Sequence, residues 1–239
     1  MALVITCSSI SEDRAVNLKK TLAEGVGTAT LLLVVIGSGI MATNISKDVG
    51  VQLTINSAAT GLILYILITL LGPISGAHFN PVVTAIQLFK KNIATSLAAA
   101  YLAAQLVGAV IGVALANFIF NLPIFEISQK DRTGAELFVS EVLATAGLVF
   151  IIFTAISQKS EAKIPVLVGA YISAAYFFTS STSFANPAVT VARTLSDTFA
   201  GIAPSSVLPF IVAQIIGAAL GLALALFLNS QKKKREVNE

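Results

Sequence analysis

The sequence predicts an all-α membrane protein in which six membrane-crossing helices and two short re-entrant helices form an inverted repeat. Three observations predict it. The first is composition: of 239 residues, 56% are hydrophobic and 11% charged, with a mean hydropathy of +0.87. An ordinary soluble domain carries roughly 25% charged residues, so this chain has too little charge to cover a water-facing surface. The second is six apolar stretches, at about 21–41, 51–72, 95–119, 136–157, 164–180 and 205–228, close to the roughly 20 residues needed to cross hydrocarbon as a helix. They are too long and too rich in Gly and Ala for the alternating strands of a membrane barrel. The third is a set of segments that recur in both halves.

Composition excludes a soluble enzyme, a nucleic-acid binder and a disordered chain, despite a pI of 9.0. Cys7 is the one cysteine, so no intramolecular disulfide or cysteine-rich metal cluster is expected. No cofactor or metal is expected either. Residues 1–20 read as a cytoplasmic tail rather than a cleaved signal, because Met1–Ile10 is short and Glu12 and Asp13 follow it. The first repeat is expected over 21–119, the second over 134–228, and a basic cytoplasmic tail over 229–239, all within a single domain.

Orientation follows from the basic residues, which concentrate on the cytoplasmic side of membrane proteins. With the N-terminus inside, Arg14, Lys19, Lys20, Lys90, Lys91, Lys159, Lys163, Lys232, Lys233, Lys234 and Arg235 fall inside. Lys47, Lys130, Arg132 and Arg193 fall outside. This bias favours both termini in the cytoplasm, a multi-pass protein of the cell (inner or plasma) membrane, and an even number of crossings. Lys232–Arg235 abuts a membrane helix, which argues against a nucleic-acid patch.

The halves match at three places in the same order. Glu24 with Thr28 corresponds to Glu141 with Thr145, Asn80-Pro81-Val82-Val83-Thr84 to Asn186-Pro187-Ala188-Val189-Thr190, and Gln105 within Ala104–Ala109 to Gln214 within Ala213–Ala218. Three crossings per half, an odd number, force the halves into opposite orientations about a pseudo-two-fold axis in the membrane plane. Secondary transporters share that geometry, so it does not by itself specify a channel.

Residues 73–94 and 181–204 are too polar to cross, yet each holds a short apolar run after an Asn-Pro pair. Asn is a strong N-cap and Pro suits the first helical position, so half-helices are expected at about 81–90 and 187–197. Ten residues span roughly 15 Å, half a bilayer. A single such element fits an ordinary interfacial helix; two at repeat-related positions fit half-helices that meet N-terminus to N-terminus near the midplane. Their positive dipole ends and the two asparagine amides would repel cations and offer donors to a neutral or polar solute.

Ser75-Gly76-Ala77-His78-Phe79-Asn80-Pro81-Val82-Val83-Thr84 closely resembles the first signature loop of the aquaporins, the major intrinsic protein family, and Phe184-Ala185-Asn186-Pro187-Ala188 resembles the second. The resemblance runs from Glu24 to about Leu228. It implies an aquaporin-like fold, passive transport through one pore per protomer, a homotetramer in the lipid bilayer, and small neutral solutes as cargo. It also implies that Asn80 and Asn186 are the central donors, that His78 lines the pore on the cytoplasmic side, and that Glu24 and Glu141 are buried carboxylates bonded to the re-entrant loops. The residues alone leave a core histidine open for His78 and a proton relay open for the glutamates, whose burial in a membrane demands partners. Gln105 and Gln214 look structural, and Gly108 with Gly112 and Gly217 with Gly221 look like close-packing pairs.

Two positions depart from the family pattern. Val82 stands where alanine is usual, a minor change. Val189 stands where the family usually has the arginine of the outer constriction. Ungapped counting gives Thr60, Ala174 and Ser183 as the other constriction positions, a ring of small side chains with no aromatic and no charge. Losing the arginine removes a narrowing, fixed donors and a barrier to cations, which favours a neutral solute larger than water. Arg193 lies two turns beyond Asn186, and its i+4 spacing to Asp197 favours an ion pair; the alternative is a vestibule residue that guides anionic or polar solutes. The run Asn186-Pro187-Ala188-Val189-Thr190-Val191-Ala192-Arg193 also resembles a bacterial aquaporin branch associated with arsenic-resistance genes, which implies arsenous acid and methylated arsenicals beside glycerol, urea and water. The competing reading is an ion-coupled secondary transporter using Glu24 or Glu141. A formate/nitrite-type channel lacks the double Asn-Pro signature, and no nucleophile–base set suggests an enzyme.

Overall fold

The computed structural model describes the backbone of residues 2–236 and the side chains of residues 14–230. Cys7 and Lys232–Arg235, singled out above, lie outside the described side chains. The described residues form helices joined by loops, with no strand: α1 (Ala2–Ile45), α2 (Val49–Ser75), α3 (Pro81–Phe89), α4 (Thr95–Ile119), α5 (Ala135–Ser157), α6 (Ile164–Phe178), α7 (Pro187–Ala192) and α8 (Val207–Glu236). Five of these are long and apolar enough to cross a membrane, α1 over Arg14–Ile45. The sixth crossing, α6, has 15 residues and is extended by a 3₁₀ turn at Glu161–Lys163. At 1.5 Å per α residue and 2.0 Å per 3₁₀ residue the pair spans roughly 28 Å, close to the hydrocarbon thickness.

The two halves pack by the same rule. α1 lies chiefly against α4, and α5 against α8, while α2 and α6 close the ring between them. Glycine makes the first two pairings possible. A Cβ on Gly108 would sit 2.2 Å from the Gly25 carbonyl oxygen, and one on Gly112 2.2 Å from that of Ala29. In the second half a Cβ on Gly217 would run into the Val142 carbonyl oxygen and one on Gly221 into that of Ala146. With lipid outside, helix association relies on such close packing rather than on a hydrophobic driving force. The outward faces are correspondingly apolar, with Leu62, Leu70, Val107, Ile119, Leu208 and Phe227 all exposed.

Both half-helices start as the Asn-Pro pairs require. Asn80 accepts a hydrogen bond from the Val82 amide, Asn186 accepts from those of Ala188 and Val189, and proline fills the first helical position of each. α3 runs nearly its expected length. α7 does not: it ends at Ala192 and passes into a 3₁₀ turn at Arg193–Leu195. Just beyond it the chain is held by the loop between α4 and α5, with Thr194 O accepting from the Ser128 amide at 2.9 Å and Leu195 O from the Glu126 amide at 3.1 Å.

Gly221→Ala drives a methyl into the Ala146 carbonyl and is expected to lower stability by about 1–3 kcal/mol. Gly25→Ala, whose Cβ would find its nearest neighbour at an ordinary 3.5 Å, is expected to be neutral or mildly stabilising. Thermal unfolding of the two variants in detergent checks the contrast.

Candidate functional site

The re-entrant loops before α3 and α7 turn on left-handed residues at matching places. Ala77 and Phe79 have φ of 48° and 48°, three and one residues before Asn80; Ser183 and Ala185 have φ of 52° and 48°, three and one before Asn186. Non-glycine residues in that region cost of order 1–3 kcal/mol each, so the loops need compensating bonds. Glu24 and Glu141 supply them. Glu24 Oε1 accepts from the Ser75 hydroxyl at 2.7 Å and the His78 amide at 2.9 Å, and Oε2 from the Phe79 amide at 2.7 Å and Gln105 Nε2 at 2.8 Å. Glu141 Oε1 accepts from the Phe184 amide at 2.9 Å, and Oε2 from the Ala185 amide at 2.9 Å and Gln214 Nε2 at 2.7 Å. Both carboxylates are fully buried. Charge-assisted bonds of this kind contribute about 1.5–3 kcal/mol each, enough to offset the strain.

The loops then lock to each other. Asn80 Nδ2 donates to the Ala185 carbonyl at 2.8 Å, and Asn186 Nδ2 donates to the Phe79 carbonyl at 2.7 Å. Each amide spends one hydrogen on the opposite loop and keeps one for the cavity that both residues line. Two helix N-termini and two amides therefore converge at one place.

That cavity has a volume of about 120 Å³. It is a narrow tube rather than a chamber. Its wall is largely apolar, with Leu31, Val35, Leu148 and Ile172, interrupted by polar groups from His78, Asn80, Thr60, Tyr176, Ser183, Asn186 and Arg193. His78 Nδ1 lies 3.0 Å from the Thr84 hydroxyl, which also accepts from Gln105 Nε2 at 3.0 Å. Val82, next to Asn80, is buried and packs with Ile86, Val149 and Phe153.

The structure corrects two expectations. Ala174 does not reach the cavity. It is exposed and lines a groove between α2 and α6 with Ser57, Gly61 and Ser173. Ile172 and Tyr176, one turn apart, face the cavity, and Ala174 lies about 200° round the helix from Ile172 at 100° per residue. Thr60, Ser183 and Val189 line the cavity beside Tyr176, whose hydroxyl is 3.1 Å from that of Thr60. The cavity wall beside Thr60 therefore includes an aromatic, which ungapped counting could not find. The second correction concerns Arg193. The helical register that would set Asp197 beside it is lost when α7 ends at Ala192. Arg193 Nε donates to the Ala200 carbonyl and its guanidinium stacks 3.5 Å from the centre of the Phe184 ring. Asp197 instead accepts from the Gln129 amide at 3.0 Å and the Ser128 hydroxyl at 3.2 Å.

Sequence reasoning also missed Ser75, Tyr101, Lys130 and Arg132. Tyr101 donates to the Ser75 carbonyl at 2.8 Å and sets its ring edge-on to His78. Arg132 donates to the Gly201 carbonyl at 2.9 Å and the Ser181 carbonyl at 3.2 Å, bracing the α7 loop from the α4–α5 connection. Ser75, Tyr101 and Arg132 are distinguished only by a buried position, Lys130 is half-buried, and no motif carries either.

The model of the major intrinsic protein family matches residues 11–185. The chain belongs to that family. This major intrinsic protein is 47% identical over 206 residues to the aquaglyceroporin AqpS of Rhizobium meliloti (strain 1021), covering 86% of this chain and 88% of that one. It is 27% identical over 228 residues to the aquaporin NIP3-1 of Arabidopsis thaliana, covering 90% and 69%. Among solved structures, the aquaglyceroporin from Plasmodium falciparum superposes with a TM-score of 0.68 at 19% identity, covering 89% of this chain and 96% of that one, a likeness of fold. The major intrinsic protein is accordingly a membrane channel with the aquaporin fold and not an enzyme.

In Glu141→Gln, an amide nitrogen must face the donors of Ala185 or Gln214, or of Phe184. A loss of about 2–4 kcal/mol in stability is expected, read by thermal unfolding, together with loss of solute flux in vesicles.

Proposed function

We propose that this channel conducts small neutral solutes larger than water down their gradients across the cell membrane, with glycerol, urea and arsenous acid as the solute type and water passing as well. The observation that carries the reading is Val189 in the cavity wall, at the position where the family usually places a constriction arginine. A valine there removes the fixed charge and frees width. The wall then offers two kinds of contact. Val189, Ile172 and Leu148 face the carbon side of a polyol, while Thr60, Tyr176, Ser183 and the two asparagines face its hydroxyls. Relatives named aquaglyceroporin support the same solute class.

The remaining parts of the proposal concern placement. The basic residues put both termini in the cytoplasm, so the α7 loop, Val189 and Arg193 face outward and His78 and α3 face inward. Four protomers assemble, each with its own pore. An ion-coupled transporter needs an unspent membrane-embedded carboxylate, and Glu24 and Glu141 have their oxygens committed to four and three donors.

Light scattering of vesicles carrying the purified protein, given glycerol, urea or arsenous acid gradients, tests the constriction. Val189→Arg is expected to cut solute permeation at least about tenfold, a barrier of about 1.4 kcal/mol, while water flow persists. Equal solute flux in both proteins contradicts the role given to Val189.

A further inference from the structure

Arg193 is 2% exposed, among the largest fully buried side chains of the described residues, and it forms part of the cavity wall. Its Nε is spent on the Ala200 carbonyl. Nη1 and Nη2 carry no hydrogen bond to any described residue, although a guanidinium presents them as a fork matched to two oxygens. Buried cationic donors are costly when unspent. A second polar group of the same wall is also unspent: the Ser183 hydroxyl is buried and without a partner. Ser183 directly precedes Phe184, the ring on which Arg193 stacks.

The surroundings add two further cations, set against the buried Glu141 carboxylate and Asp197. The Arg132 guanidinium lies 4.9 Å from the centre of the same Phe184 ring, and Lys130 Nζ donates to the Phe199 carbonyl at 2.7 Å. Lys130 is pushed down to about 8, by burial first and then by Arg132 and Arg193, with Asp197 opposing. Asp197 is itself engaged by Ser128 and Gln129, and Asp131 is fully solvent-exposed. Three cations thus lie near one another, and the deepest of them, Arg193, lines the cavity with Nη1 and Nη2 unbonded to described residues.

We propose that Arg193, with Ser183 beside it, forms a subsite for a small oxyanion at the outer mouth, whose occupancy slows the passage of neutral solutes. Arg193 lies one helical turn beyond Val189, so it reaches the tube outside the constriction rather than at it. Two oxygens of the anion bridge Nη1 and Nη2, a third takes the Ser183 hydroxyl, and Lys130 and Arg132 raise the local anion concentration. The flux part rests on the solute-channel reading above; the binding part does not.

Two measurements separate them. Equilibrium dialysis of radiolabelled sulfate against the purified protein is expected to show about one saturable site per protomer, displaced by unlabelled sulfate but not by chloride at equal ionic strength. Arg193→Gln is expected to abolish that site, Arg193→Lys to weaken it, and Lys130→Gln, which leaves the buried guanidinium in place, to weaken it at least about threefold. In vesicles, sulfate on the α7 side is expected to lower glycerol permeability at least about threefold relative to chloride, each variant being compared with its own sulfate-free rate. Absence of saturable sulfate binding in the wild type, or binding unchanged in folded Arg193→Gln, overturns the subsite. Binding without any effect on a measurable glycerol flux overturns the brake. No glycerol flux above protein-free vesicles sinks the channel reading for glycerol and leaves the dialysis to judge the subsite.

Discussion

A backbone that turns back in the middle of a bilayer has no water to satisfy its N–H groups, and here two carboxylates meet that demand. Glu24 and Glu141 each hold the two amides nearest an Asn-Pro pair, through residues that sit in or beside the left-handed region. Their negative charge is neutralised by donors rather than by a cation, so it can stay buried. Everything nearer the pore follows from this. The strained turns aim Asn80 and Asn186 inward, each amide reaches the carbonyl of the opposite loop, and the half-helices are fixed end to end. Gln105 and Gln214 brace the carboxylates from α4 and α8 and bond Thr84 and Thr190 as well. The clamp is thus built twice, once per repeat.

Much of the fold was legible because its signals are periodic or duplicated. Apolar stretches located the six crossings to within a few residues, and the Asn-Pro pairs marked the half-helix starts, since capping chemistry is local. Gly108, Gly112, Gly217 and Gly221 stood out by spacing, and each meets a backbone carbonyl of the neighbouring helix. What the sequence could not carry was geometry set by partners far along the chain. α7 stops at Ala192, the chain beyond it is held by amides of Glu126 and Ser128 on the Leu195 and Thr194 carbonyls, and with that stop the expected pairing of Arg193 with Asp197 disappears. Ala174 was misplaced for a related reason. A face of α6 cannot be counted back from Asn186 through a loop whose path is irregular, so Tyr176 took the position instead.

The asymmetry between the halves is where the channel gains its character. The α3 side adds His78, held by Thr84 and Tyr101; the α7 side adds Val189 and, one turn further, Arg193 on Phe184. In the proposed reading, this symmetric scaffold carries a neutral constriction at Val189 with the Arg193 cation one turn beyond it.

The most direct test of the whole arrangement is the steady-state ratio of labelled glycerol inside and outside vesicles that carry the protein and an imposed proton gradient. With both buried carboxylates committed to loop and glutamine donors, neither is free to carry a proton across, so rapid equilibration to a ratio of one is predicted. Accumulation above the outside concentration, collapsing when the gradient is dissipated, would contradict a passive channel and return Glu24 and Glu141 to the role of proton carriers.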